Sequence, residues 1–120
     1  MDKYVNAVLL DSDVRMAMTL FLPTCEQDCA KVEQFFQYGP FFLQRCRADC
    51  THKLEVFKQE HQRVAASLRS EVQACLERFD EHERKPELRQ CILPVQRAGM
   101  QQLFAAMNKM KERARTVADL

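Results

Sequence analysis

Cys25-Glu26-Gln27-Asp28-Cys29, then sixteen residues, then Cys46-Arg47-Ala48-Asp49-Cys50, is the stretch on which the fold turns. Tyr38-Gly39-Pro40 lies midway between the two CX3C pairs and breaks the chain there, so the flanking segments fold back on each other as an antiparallel helical hairpin. In such a hairpin, facing residues share one midpoint. Cys29 with Cys46 and Cys25 with Cys50 both centre between Gln37 and Tyr38. Residues four apart lie on one helix face, so each pair offers two sulfurs to the opposite helix. The spacing favours two staples, inner Cys29–Cys46 and outer Cys25–Cys50. A four-cysteine zinc site and buried free thiols remain open as alternatives. Zinc knuckles usually bend with glycine or proline beside their ligands, and both triplets here are polar and helix-compatible.

From the hairpin toward the N-terminus, Val14, Met18, Leu22, Cys25, Cys29, Val32 and Phe36 recur at steps of four and three, a helical stripe that runs into the cysteine face. Asp11 or Ser12 fits its N-cap. Pro23 predicts a kink or break near Leu22, with Thr24 and Gln27 opening a second helix. Residues 1–10 form a short apolar arm or order only on a partner.

Toward the C-terminus, Phe41 to Arg84 holds no glycine or proline. Its stripe of Phe42, Cys46, Cys50, Leu54, Phe57, His61, Val64, Leu68, Val72, Cys75 and Phe79 predicts one helix of about 60 Å. The first helix can cover only half of it, so the distal half needs the last segment, a partner, or both. Val64, Leu68, Val72 and Phe79 are therefore candidate partner-binding residues, with Met107 and Met110 added as adaptable contacts. Lys85-Pro86 ends the long helix and Pro86 can start the next. Pro94 and Gly99 are expected bends in a final stretch that carries Leu88, Cys91, Ile92, Val95, Leu103, Phe104, Met107, Met110, Ala114 and Val117. A turn centred on Lys85-Pro86 sets Cys75 opposite Val95 and Cys91 opposite Phe79. The two cysteines then miss by a helical turn, and both are expected as free thiols.

The expected fold is all-α: a disulfide-stapled antiparallel hairpin with a long second helix and a C-terminal helix. One helical domain divides into an N-terminal arm (1–24), the hairpin core (25–50), a helix extension (51–84) and a C-terminal segment (86–120). Two glycines and four prolines in 120 residues suit a helical chain. A net charge of +1 makes no electrostatic case for nucleic acid. The basic run Lys109, Lys111, Arg113 and Arg115 reads as a solvated helix end.

Chemistry is sparse. His52, His61 and His82 are scattered, with His61 expected as a satisfied packing residue. No phosphate loop, nucleophile elbow or serine-histidine-acid set can be assembled, so no catalytic, cofactor-binding or metal-ligating residue is assigned. The sequence opens Met1-Asp2-Lys3-Tyr4 with Asp11 and Asp13 following, unlike a secretory signal or a matrix presequence. Asp11, Ser12, Asp13 and Arg15 also interrupt Val5 to Leu22 short of a membrane span. Oxidised cysteines without such a signal point to the mitochondrial intermembrane space, unless the N-terminus is already processed.

CEQDC and CRADC, followed by Lys53-Leu54 and Arg63-Val64, resemble the twin CX3C small Tim chaperones of that compartment, over roughly Val14 to Glu71. The resemblance implies oxidative import, two nested disulfides and a hairpin that assembles with similar subunits. A looser resemblance, to a little-characterised mitochondrial family with four CX3C units, rests on Met107 to Glu112 and on Cys75 and Cys91 as reduced units. The expected function is a non-enzymatic structural or assembly subunit of an inner-membrane complex, with protein partners and peripheral membrane contact at most. A small-Tim-like holdase is the alternative. An enzyme using the cysteines finds no support beyond their number.

Overall fold

The chain is described by a computed structural model over residues 2–79 and 85–112. Among these residues four helices follow one another: α1 (Asp2–Leu9), α2 (Ser12–Phe36), α3 (Pro40–Arg78) and α4 (Lys85–Lys111). The fold is an all-α, disulfide-stapled helical hairpin extended by the C-terminal helix. At 66 × 20 × 16 Å it is a rod, its length set by the 39 residues of α3, about 58 Å of helix.

The turn between α2 and α3 is built by three residues of special conformation. Gln37 caps α2 in the left-handed region (φ 53°) and donates its N–H to the Glu33 carbonyl. Gly39 takes φ 108°, a region open essentially to glycine, and Pro40 starts α3 where a missing N–H costs nothing. At the other end, Asp11 accepts from the Asp13 N–H at 3.0 Å and caps α2.

α2 does not break at Pro23. It runs through as one 25-residue helix. Thr19 and Pro23 both lie on the exposed side, where water can take the hydrogen bond that proline cannot donate. Val14 and Ala17 are buried before it and Cys29 after it, so packing holds the two halves in line. α4 likewise continues through Pro94 and Gly99. Pro94 faces solvent and Gly99 is pressed against α3.

The partner-binding assignment needs correction. Val64, Leu68, Val72, Met107 and Met110 are buried within the chain's own core, together with Val5, Val8, Phe57 and Leu103. α4 covers the distal half of α3, and α1 fills the remaining side: Val5, Val8 and Leu9 are buried on it. The arm of residues 2–9 is thus ordered within the chain, tied down by the Gln96 side-chain amide donating to the Tyr4 carbonyl at 3.0 Å. Phe79 is half-buried in a second cluster with Cys75, Leu88 and Ile92.

The free-thiol assignment is also overturned: Cys75 and Cys91 form a disulfide, with Cα atoms 5.8 Å apart. α4 already begins at Lys85, so Pro86 lies inside its first turn and the connection precedes it. α3 stops at Arg78, with Phe79 extended. The expected continuation to residue 84 and the position of His82 lie outside the described residues. Three contacts fix the register: Cys75 with Cys91, Leu68 with Gly99, and Lys53 with Glu112. Their midpoints fall within half a residue of 83, two positions earlier than a turn on Lys85-Pro86 requires. That shift restores the alignment of the two sulfurs.

Candidate functional site

The two CX3C pairs face each other as stacked staples. Cys25 bonds Cys50 and Cys29 bonds Cys46, with Cα separations of 5.9 and 5.8 Å, and the Cys29 and Cys50 sulfurs approach to 3.7 Å across the stack. The sulfurs of Cys25, Cys29 and Cys50 lie within 4.8 Å of one another, as close as metal ligands. In disulfides they carry no thiolate charge to hold a cation. All six cysteines of the chain are paired.

Among the described residues, these staples hold a hairpin that reaches beyond the end of α4. α4 is pinned at its end where the Lys53 ammonium donates to the Glu112 carbonyl at 2.8 Å. From there to the turn, α2 and α3 run on together beyond the end of α4. Between α2 and the last turns of α4, and on past the end of α4, runs an open groove of about 820 Å³, bordered by Met16, Leu20 and Val32 of α2, Cys46 of α3 and Phe104 of α4. Met16 and Leu20 are 56% and 50% exposed. Asp13, Asp28 and Asp49 alternate along its edges with Lys31, Lys53 and Lys111. The lining is thus apolar at the floor and mixed in charge at the rim.

The hairpin tip is a second unsatisfied surface. Phe35 is 84% and Phe41 79% exposed, and Phe36 and Tyr38 are also exposed. The rings touch in series, Phe35 to Phe36 at 5.6 Å, Phe36 to Tyr38 at 5.3 Å and Tyr38 to the buried Phe42 at 5.1 Å. Glu33 turns inward beneath them and accepts the Gly39 N–H at 2.8 Å, while its second oxygen is buried without a partner.

Histidines are peripheral to both surfaces. His61 meets the Leu9 carbonyl at 3.2 Å and sits against Phe57, the packing role expected of it, and His52 is exposed on α3. On the outer face of α3, Glu60 hydrogen-bonds Arg63 and raises its guanidinium pKa above the ordinary value, through that bond first and through charge second.

The sequence-predicted site residues divide cleanly. Cys25, Cys29, Cys46 and Cys50 meet at the staples and border the groove. The candidate partner residues lie in the core, except for the half-buried Phe79. Leu20, Phe35 and Phe41 were not singled out, and Met16 was read only as one of six methionines able to form an adaptable surface. The signal for the tip was present in Phe35-Phe36-Gln37-Tyr38-Gly39-Pro40-Phe41-Phe42, since a two-helix apex cannot bury five aromatic rings.

These features define an elongated, disulfide-closed helical protein with an apolar groove and an aromatic apex. Compared with known proteins, the chain matches no family model, no curated protein and no solved structure.

Proposed function

We propose that the protein is a non-enzymatic structural or assembly subunit, working in an oxidising compartment, the mitochondrial intermembrane space, against an inner-membrane complex. The observation that carries this is the groove beyond the end of α4. It runs past the end of a packed helix, has an apolar floor, and lies on two helices, α2 and α3, that two disulfides tie together. Its occupant is an amphipathic helix of a neighbouring subunit, laid along α2 and past the end of α4 with its apolar face on Met16, Leu20 and Val32. Closure of all six cysteines into bridges supports an oxidising compartment. The support no longer comes from the distal stripe of α3, which α4 covers.

A photo-crosslinker at Leu20 in native mitochondria tests this. The expected product joins Leu20 to one helix of an inner-membrane complex that co-migrates with the protein on native gels, and Met16→Asp/Leu20→Asp removes both. Residues 113–120 of the same chain compete for the slot in principle. A variant ending at Glu112 separates them: crosslinking of Leu20 only within its own chain, abolished by that truncation, would sink the subunit reading. The small-Tim-like holdase uses the same apolar groove but needs several equivalent copies. A self-sufficient ring of the isolated chain by size exclusion would replace the subunit with the chaperone.

A further inference from the structure

We infer that the tip of the hairpin inserts into the interface of an anionic phospholipid bilayer. Two independent features of the apex meet the two halves of such a surface. The first is the aromatic cap: Phe35 and Phe41 project almost fully into water, backed by Phe36 and Tyr38. The aromatic series leads down to buried Phe42, so these rings are displayed on a fixed support. Phenyl rings favour the acyl boundary and a tyrosine hydroxyl the headgroup level.

The second is charge. From residue 30 to residue 48 the charged side chains are Lys31, Glu33, Arg45 and Arg47. Glu33 is turned inward onto the Gly39 N–H. The exposed charges closest to the cap are Lys31 and Arg45, both cationic. Arg47 and Asp28 face each other just behind the inner staple, and Asp49 stands farther back. An apolar knob with a cationic collar complements anionic headgroups above hydrocarbon, whereas the groove rim carries both signs and has no such polarity.

Shape fits the same surface. The cap occupies one end of a 66 Å rod no more than 20 Å across, so it can enter a bilayer end-on without burying the groove. Among the described residues no helix is long and apolar enough to cross a membrane. The inner disulfide, about two turns behind the apex, keeps the two helix ends together as the tip enters. The inference stands apart from the groove and holds whether or not a partner helix lies there.

Flotation of the intact protein with phosphatidylcholine vesicles, with and without phosphatidylglycerol, tests it. Two cations at the surface should favour the anionic vesicles by on the order of thirtyfold, and salt should erase most of that preference. Lys31→Glu/Arg45→Glu should abolish the preference. Phe35→Ser/Phe41→Ser should abolish binding to both vesicles with helicity and the disulfide map unchanged, as expected for exposed residues. The chain has no tryptophan, so Phe35→Trp gives a clean probe, and its emission should shift to the blue on anionic vesicles. Absence of vesicle binding, or binding with unshifted emission and no dependence on Phe35 and Phe41, would overturn the inference. Loss of a protein partner but not of vesicle binding in the Phe35→Ser/Phe41→Ser variant would make the tip a protein-docking surface instead.

Discussion

Gly99 of α4 lies so close to Leu68 of α3 that a Cβ on Gly99 would stand 3.0 Å from Leu68 Cδ2 and 3.2 and 3.3 Å from two further atoms of the same side chain. Leu68 is buried in the core and cannot swing clear. Alanine would gain about 1 kcal/mol of helix propensity, while overpacking a filled core costs about 1–3 kcal/mol. The overlap should win. Gly99→Ala is expected to destabilise by about 1 kcal/mol, a fall of about 4 °C in Tm by calorimetry. Leu68→Val in the Gly99→Ala background should recover part of that loss, whereas additive losses would show that the two residues do not share the space.

The third disulfide makes a chemical prediction. Peptide mapping under non-reducing, denaturing conditions should recover Cys75–Cys91 beside the two hairpin bridges and leave no thiol to alkylate. The bridge spans 16 residues, so Cys75→Ser/Cys91→Ser should cost about 3 kcal/mol in denaturant unfolding. Labelling of both cysteines in the native oxidised protein would return the α3 to α4 connection to the later register.

At the tip, a Cβ on Gly39 would meet no atom within 4 Å, yet the φ of 108° disfavours any side chain there. Gly39→Ala should therefore destabilise by about 2 kcal/mol through backbone strain alone. Glu33→Ala leaves the Gly39 N–H without its acceptor and should cost about 1–2 kcal/mol. Both changes should speed amide exchange from residue 36 to residue 43 first, and uniform exchange along α2 and α3 would contradict the local role of this turn.

Burial of α1 can be probed at Val8. Val8 is 2% exposed, and an unpaired carboxylate there cannot be solvated without lifting the helix. Val8→Asp should release α1, costing about 3 kcal/mol. Hydrogen exchange should show lost protection over residues 2–9 and along the facing part of α3, with the staples intact. Protection retained across α1 would mean that the arm contributes little to the core.

Much of this architecture was legible in the residues alone. Residue type and spacing gave the CX3C pairs, the apex and the apolar stripe of α3, because helical periodicity and hairpin symmetry are local or arise from one short turn. The cap at Asp11 and the packing of His61 followed from equally local chemistry. What the sequence left undecided depends on where separate helices come to rest. Pro23 read as a kink or break and Pro94 as a bend, yet each helix runs on through its proline, with packed residues on both sides of it while the orphaned carbonyl meets water. Cys75 and Cys91 read as a mismatched pair because the connection was centred two residues late, and a helix register multiplies that small error into a full turn. Val64, Leu68 and Val72 read as a face in need of a partner, and only the packing of α1 and α4 decided that the chain buries them itself. The same packing, by ending α4 at the level of Lys53, left the groove open and the aromatic apex bare.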